Sequence, residues 1–220
     1  MTDAPAVDNS QVFALAWPIA VNGLLVQAIV LVDTLIVAPL GEQALAAMGL
    51  AASIASLVIG LLFALFNGTQ ILLAQGHGAG DADGMRSTFW VGLIVGSAVV
   101  SVAILVIMFT GDGPLVTLAL NTRVGELAHD YLLVFTSVLI GITLSQHMTV
   151  TLYAIGRSRL TFFSTMLEAP VNIILSIALV QGLWGFPSLG VVGAAIGSAV
   201  AVWLRAVSYT HLTLPTNREV

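Results

Sequence analysis

The chain has 220 residues, 58% of them hydrophobic and only 8% charged, where soluble domains carry about 25% charged residues. It therefore lacks the polar surface to cover a water-soluble fold of this size. Eleven acids stand against six arginines and no lysine, a formal net charge of −5, which excludes the basic footprint of a nucleic-acid binder; with no cysteine there is no disulfide framework, thiolate metal site or cysteine nucleophile.

The mean hydropathy of +1.05 points to a bilayer. Only helices of about 20 residues or closed barrels can cross hydrocarbon, because every backbone polar group must be satisfied internally. The apolar stretches here are continuous and do not alternate with period two, so the expected fold is all-α. No secretory signal is expected, since Asp3 and Asp8 stand where a signal peptide would be basic, and residues 1–11 read as an N-terminus that the arginine distribution makes cytoplasmic. Six spans follow in order: near Val12–Pro39, Leu45–Leu73, Thr88–Thr110, Tyr131–Ile155, Leu160–Leu183 and Val191–Leu204. The connections are the turn Pro39–Glu42, the loop Gly76–Arg86, the longer segment Gly111–Asp130, the loop Gly156–Arg159 and the Gly- and Pro-punctuated Gly182–Gly190. With the N-terminus inside, Arg86, Arg157, Arg159 and Arg205 lie on the cytoplasmic side and only Arg123 outside, as the positive-inside rule prefers. On this reading no arginine lies within a span.

After Ala206 the chain turns polar and Thr-rich. Residues 207–220 resemble translated library adapter and are expected to be a non-native tail; the alternative is an ordinary cytoplasmic tail.

Ionisable groups inside a bilayer are costly and are functional candidates by default. Asp33 lies about six residues from the outer end of the first span, or about 9 Å. Asn22 precedes it by three turns and Pro18 by about four, so one face carries Pro18, Asn22 and Asp33. Pro18 removes a backbone donor and is expected to bend this helix. The competing reading is a static kink with Asp33 snorkelling to the outer interface. Glu168 opens an i, i+4, i+8 stripe with Asn172 and Ser176, interrupted by Pro170. Ser176 lies about as deep as Asp33, and Glu168 about 12 Å further in, so the two acids are not expected to share one site. Asn67, Gln70 and Gln146 are candidate cavity-lining residues, as is Asn22, although helix–helix hydrogen bonds explain such residues about as well; His147 is a weaker signal. Gly92-x-x-x-Gly96 and Gly193-x-x-x-Gly197 read as close helix contacts. The chain has no His-Glu-x-x-His, and no Gly-x-Ser-x-Gly surrounds Ser53, Ser97, Ser145 or Ser198, so an intramembrane protease is not expected.

Five segments, in order over about residues 10–206, resemble the multidrug and toxic compound extrusion (MATE) transporters. Trp17-Pro18 with Val32–Gly41 and Ala44–Ala47 resembles their first-helix signature, and Gln75–Asp81 their loop between helices two and three. Ala154-Ile-Gly156 resembles the stretch leading into helix five, Asn172-Ile-Ile-Leu175 the helix-five polar motif, and Leu189–Ile196 the entry to helix six. The resemblance implies twelve helices in two six-helix lobes, of which residues 12–206 would be the N-terminal lobe. It also implies a bacterial inner-membrane antiporter exporting small organic, often cationic, compounds against H+ or Na+, with a C-terminal lobe as partner and no cofactor beyond the coupling ion. By the same resemblance Asp33 matches the acid that takes part in coupling, Asn172 its polar partner, Pro18 the proline at which the helix bends, and Ser198 a position where Thr is common. Ser176 departs from the pattern, because members with an ion site in this lobe often have Asp there; Asp33 is left as the main titratable group, with Glu168 a candidate relay. Two further readings stay open: a lipid-linked precursor flippase of the same superfamily, which would need basic cavity residues, and a non-transporting six-helix scaffold.

Overall fold

The structure is a computed structural model and describes residues 9–213; residues 1–8 and 214–220, the ends of the expected N-terminus and tail, lie outside the described residues. The described residues contain no strand and form helices joined by short connections. They are α1 (Asn9–Val37), α2 (Glu42–Ala79), α3 (Ala82–Thr110), the short α4 (Gly113–Ala119), α5 (Thr122–Ala154), α6 (Ser158–Gln181) and α7 (Gly190–Thr213). Six of these are long and apolar enough to cross a membrane, as the composition requires.

Three connections differ from the expectation. The loop at Gly76–Arg86 shrinks to Gly80-Asp81, because the glycines at 76 and 78 stay helical and α2 ends only where Gly80 turns left-handed at φ 70°. Asp81 then caps α3, its Oδ1 accepting from the Gly84 amide at 2.9 Å. Segment 111–130 is not a loop. It holds α4 and the first turns of α5, started by Asn121, whose Oδ1 accepts from the Val124 amide at 3.1 Å. Arg123 and Glu126 make those turns polar, so an apolar-window reading starts the helix too late. Finally, α7 runs on to Thr213, where the expected span stopped at Leu204. Fourteen residues are too few to cross hydrocarbon, and the helix continues with Tyr209 buried, its hydroxyl 3.0 Å from Thr149 Oγ1. Arg205 consequently lies inside the span, which corrects the expectation that no arginine does.

Packing is sequential only in part. α1 lies against α6, α6 against α7, and α5 against both α7 and α2, while α3 rests on α2 and α5. Small residues allow the close approaches. A Cβ at Gly193 would meet the Leu179 carbonyl carbon and oxygen at 2.6 Å, and one at Gly197 would meet Ser176 Oγ at 2.7 Å. Gly92 and Gly96 face Thr69 and Phe66 in the same way. Val37, Ala47, Ala51, Ala128, Tyr131 and Ala195 form the main apolar cluster, with a second around Leu62, Phe66 and Leu139.

The helix α6 is inverted relative to a soluble amphipathic helix. Its buried side carries Ser158, Thr161, Thr165, Glu168, Asn172 and Ser176, while Phe163, Met166, Leu167 and Ile174 are exposed. That arrangement is stable only where the outer solvent is hydrocarbon.

Candidate functional site

Three helices converge on Asp33. Its carboxylate, on the distal part of α1, is 5% exposed, which removes the reading of a side chain snorkelling to the interface. Ser176 Oγ on α6 donates to Oδ1 at 2.9 Å, and Ser198 Oγ on α7 donates to Oδ2 at 3.0 Å. Asn172 Nδ2, one turn from Ser176, donates to Ser198 Oγ at 3.0 Å and to Asp33 Oδ2 at 3.4 Å. The helix contact at Gly197 makes this possible, since it brings the α7 backbone against Ser176 and so sets Ser198 beside Asn172.

The partners are all neutral. Among the described residues Asp33 has no ion pair, and no group of three or more His, Cys, Asp or Glu gathers that could hold a metal ion. What the cluster presents is a set of hard oxygen ligands, two carboxylate oxygens and two hydroxyls, toward which Asn172 turns its Nδ2 while its Oδ1 is buried without a hydrogen-bond partner. Such a set suits a proton or an alkali cation and not a soft metal.

The remaining sequence candidates fall elsewhere. Glu168 is not part of the Asp33 cluster; its Oε2 accepts from Arg205 Nη1 at 2.8 Å, both side chains being buried. Asn22 is buried on α1 and donates from Nδ2 to the Tyr153 hydroxyl at 3.0 Å, tying α1 to the end of α5. Pro18 is buried on the same helix, beside the Trp17–Phe162 ring contact between α1 and α6. Asn67 is exposed, and Gln70 and Gln146 are half-buried. None of them lines the pocket of about 320 Å³ between α2 and α3, which is bounded by Leu65, Thr69, Leu72, Ser87, Val91 and Gly92 among others.

Likeness to known proteins gives the family. The MatE family model matches residues 18–178, well over half of the chain. The chain belongs to the MatE family. "Probable multidrug resistance protein NorM" of Burkholderia pseudomallei is 30% identical over 203 residues, covering 90% of this chain and 42% of that protein. "Multidrug resistance protein NorM" of Burkholderia vietnamiensis is 28% identical over 212 residues, covering 94% of this chain and 44% of that protein. This MatE chain thus spans less than half the length of the curated relatives it matches. Among solved structures, a MATE in the bent conformation superposes with a TM-score of 0.83 at 22% identity, over 95% of this chain and 46% of that one. A MOP superfamily transporter from Pyrococcus furiosus superposes with a TM-score of 0.79 at 22% identity, over 93% and 44%. The fold is that of about half of such a molecule.

Several residues of the MatE chain were not marked as site residues in the sequence, Arg205 having entered only as a topology signal. Tyr131 on α5 lies within electrostatic reach of Asp33, and Tyr153 and Arg205 within reach of the Tyr209 hydroxyl. Phenols on an apolar helix read as interface or core residues, and only the contacts reveal their neighbours. The polar face of α6 was legible from Glu168 onward; its earlier members, Ser158, Thr161 and Thr165, were hidden among Phe162, Phe163 and Met166.

Proposed function

We propose that the chain is the N-terminal lobe of a secondary antiporter that exports small organic, often cationic, compounds in exchange for H+ or Na+. The observation that carries this reading is the Asp33 cluster, a buried carboxylate held by three neutral donors on two other helices. An ionised carboxylate in such surroundings is expensive unless a proton or cation joins it. Joining changes the charge that α1 presents to α6 and α7. Neutralisation weakens the pull of the two serines and Asn172 on α1, and Pro18 gives that helix a place to yield. Differential binding of the ion between the two packings then reshapes the cavity shared with the second lobe.

On this reading the lobe sits in the bacterial inner membrane, as its family resemblance implies, with its N-terminus cytoplasmic because Arg86, Arg157 and Arg159 fall on that side and Arg123 on the other, Arg205 being buried within the last span. Support for multidrug export comes from the NorM relatives. A lipid-linked precursor flippase is disfavoured because Arg205, although inside a span, already has Glu168 as its counter-ion and offers no free charge to a pyrophosphate. The test is Asp33→Asn in the complete transporter, followed by ion-driven dye efflux from energised vesicles. Membrane insertion is retained and efflux is lost; dye extrusion equal to the parent protein sinks the antiport reading, and absence of efflux from the parent under any ion gradient favours the scaffold.

A further inference from the structure

The helices α6 and α7 meet along a polar seam with two rungs. On α6, Glu168, Asn172 and Ser176 recur at i, i+4 and i+8, and on α7 Ser198 and Arg205 are seven residues apart, two turns less about 20°. Asn172 therefore meets Ser198 on one rung, where Asp33 joins from α1, and Glu168 meets Arg205 on the next. Each rung centres on one buried carboxylate. They differ in what sits beside it. Asp33 has two hydroxyls and an amide, all neutral, whereas Glu168 has a guanidinium 2.8 Å away.

A guanidinium does not lose its proton in a protein, and this one is covalently fixed to α7, so it neither dissociates nor diffuses. We propose that Glu168 is a second cation site of the seam, permanently filled by Arg205 acting as a tethered cation, so that Asp33 alone exchanges an ion. The proposal rests on the reading of Asp33 as the exchanging group, and it adds a stoichiometry: one exchangeable charge in this lobe, although the lobe buries two acids. It also explains why an ion at Asp33 finds no vacant carboxylate one turn along α6. The other titratable side chains within reach, Tyr131 at the Asp33 rung and Tyr153 and Tyr209 at the Glu168 rung, are phenols and supply no competing carboxylate.

The test counts carboxyls that take up protons, using the infrared absorption of the protonated C=O group in the full chain reconstituted in lipid nanodiscs. In the parent protein, one intramembrane band is expected, lost in Asp33→Asn and unchanged in Glu168→Gln. Arg205→Gln, which keeps an amide donor toward Glu168 but removes the charge, is expected to gain one titrating carboxyl per chain. That additional band disappears in the Glu168→Gln, Arg205→Gln double variant. Equilibrium binding of thallous ion gives the same count in parallel, one site rising to two. If Arg205→Gln gains nothing, or if Glu168→Gln with Arg205 intact already loses a band, the proposal is overturned. Should Arg205→Gln not fold, the Glu168→Gln comparison can still overturn the proposal, because loss of a band in that variant shows that Glu168 takes up a proton with Arg205 in place. Absence of both the Asp33 band and thallous-ion binding at Asp33 would instead defeat the antiport reading and leave the Arg205→Gln comparison standing.

Discussion

Replacing Gly197 with alanine tests whether the α6–α7 contact builds the site. The added Cβ would lie 2.7 Å from Ser176 Oγ and 2.8 Å from the Ser176 backbone nitrogen, where ordinary contacts begin at 3.4 Å. The second of these atoms is backbone and cannot rotate away, so α7 has to retreat by about 0.6 Å. Ser198 Oγ now sits 3.0 Å from both Asp33 Oδ2 and Asn172 Nδ2, and the same retreat takes those distances to about 3.6 Å, beyond hydrogen-bond range. Overpacking costs about 1–3 kcal/mol, and a lost hydrogen bond to a charged group about 1.5–3 kcal/mol. The expected destabilisation is therefore at least about 2 kcal/mol, together with weaker capture of a cation or proton at Asp33. Thermal unfolding of the reconstituted chain and thallous-ion binding measure the two effects. Gly60→Ala is the control, because nothing lies within 4 Å of its Cβ position. That control is expected to be neutral or to stabilise by about 0.5–1 kcal/mol. A Gly197→Ala protein as stable as Gly60→Ala, binding cation as the parent does, refutes the reasoning.

Ser176→Asp places a second carboxylate where Ser176 Oγ now lies 2.9 Å from Asp33 Oδ1. Two acids at that distance do not both stay ionised unoccupied, so cation affinity is expected to rise, with one proton shared in the absence of cation; titration calorimetry measures it. Asn121→Ala removes the acceptor for the Val124 amide and is expected to destabilise the start of α5 by about 1 kcal/mol, seen as faster amide exchange in its first turn and no change at Asp33.

How much of this could be read in advance depends on the kind of signal each part leaves. Asp33, Asn172 and Ser176 were legible because a carboxylate and a polar stripe stand out in uncharged sequence, and helical spacing fixes which of them share a face. Ser198 entered by resemblance alone, and its contact with Asp33 depends on Gly197, whose importance shows only when the two helices are docked. Arg205 was misplaced for a physical reason. A charge normally ends a span, and its counter-ion lies 37 residues earlier on another helix, a pairing that no local window contains. The polar starts of α3 and α5 were missed in the same way, because hydropathy reports where a helix meets lipid and not where its hydrogen bonding begins.

The 38 residues of α2 make it about 57 Å long, against a hydrocarbon core of about 30 Å and a full bilayer of about 40–45 Å. Even at a tilt of about 40° it spans about 44 Å along the membrane normal, well beyond the hydrocarbon core, so the hairpin it forms with α3 through Gly80-Asp81 carries helix out of the hydrocarbon. In a chain without a single native thiol, one cysteine placed at exposed Ala82 beside that turn becomes a uniquely addressable attachment point for a spin label or fluorophore. Movement of the lobe could then be followed from the end of a rigid lever, well away from Asp33.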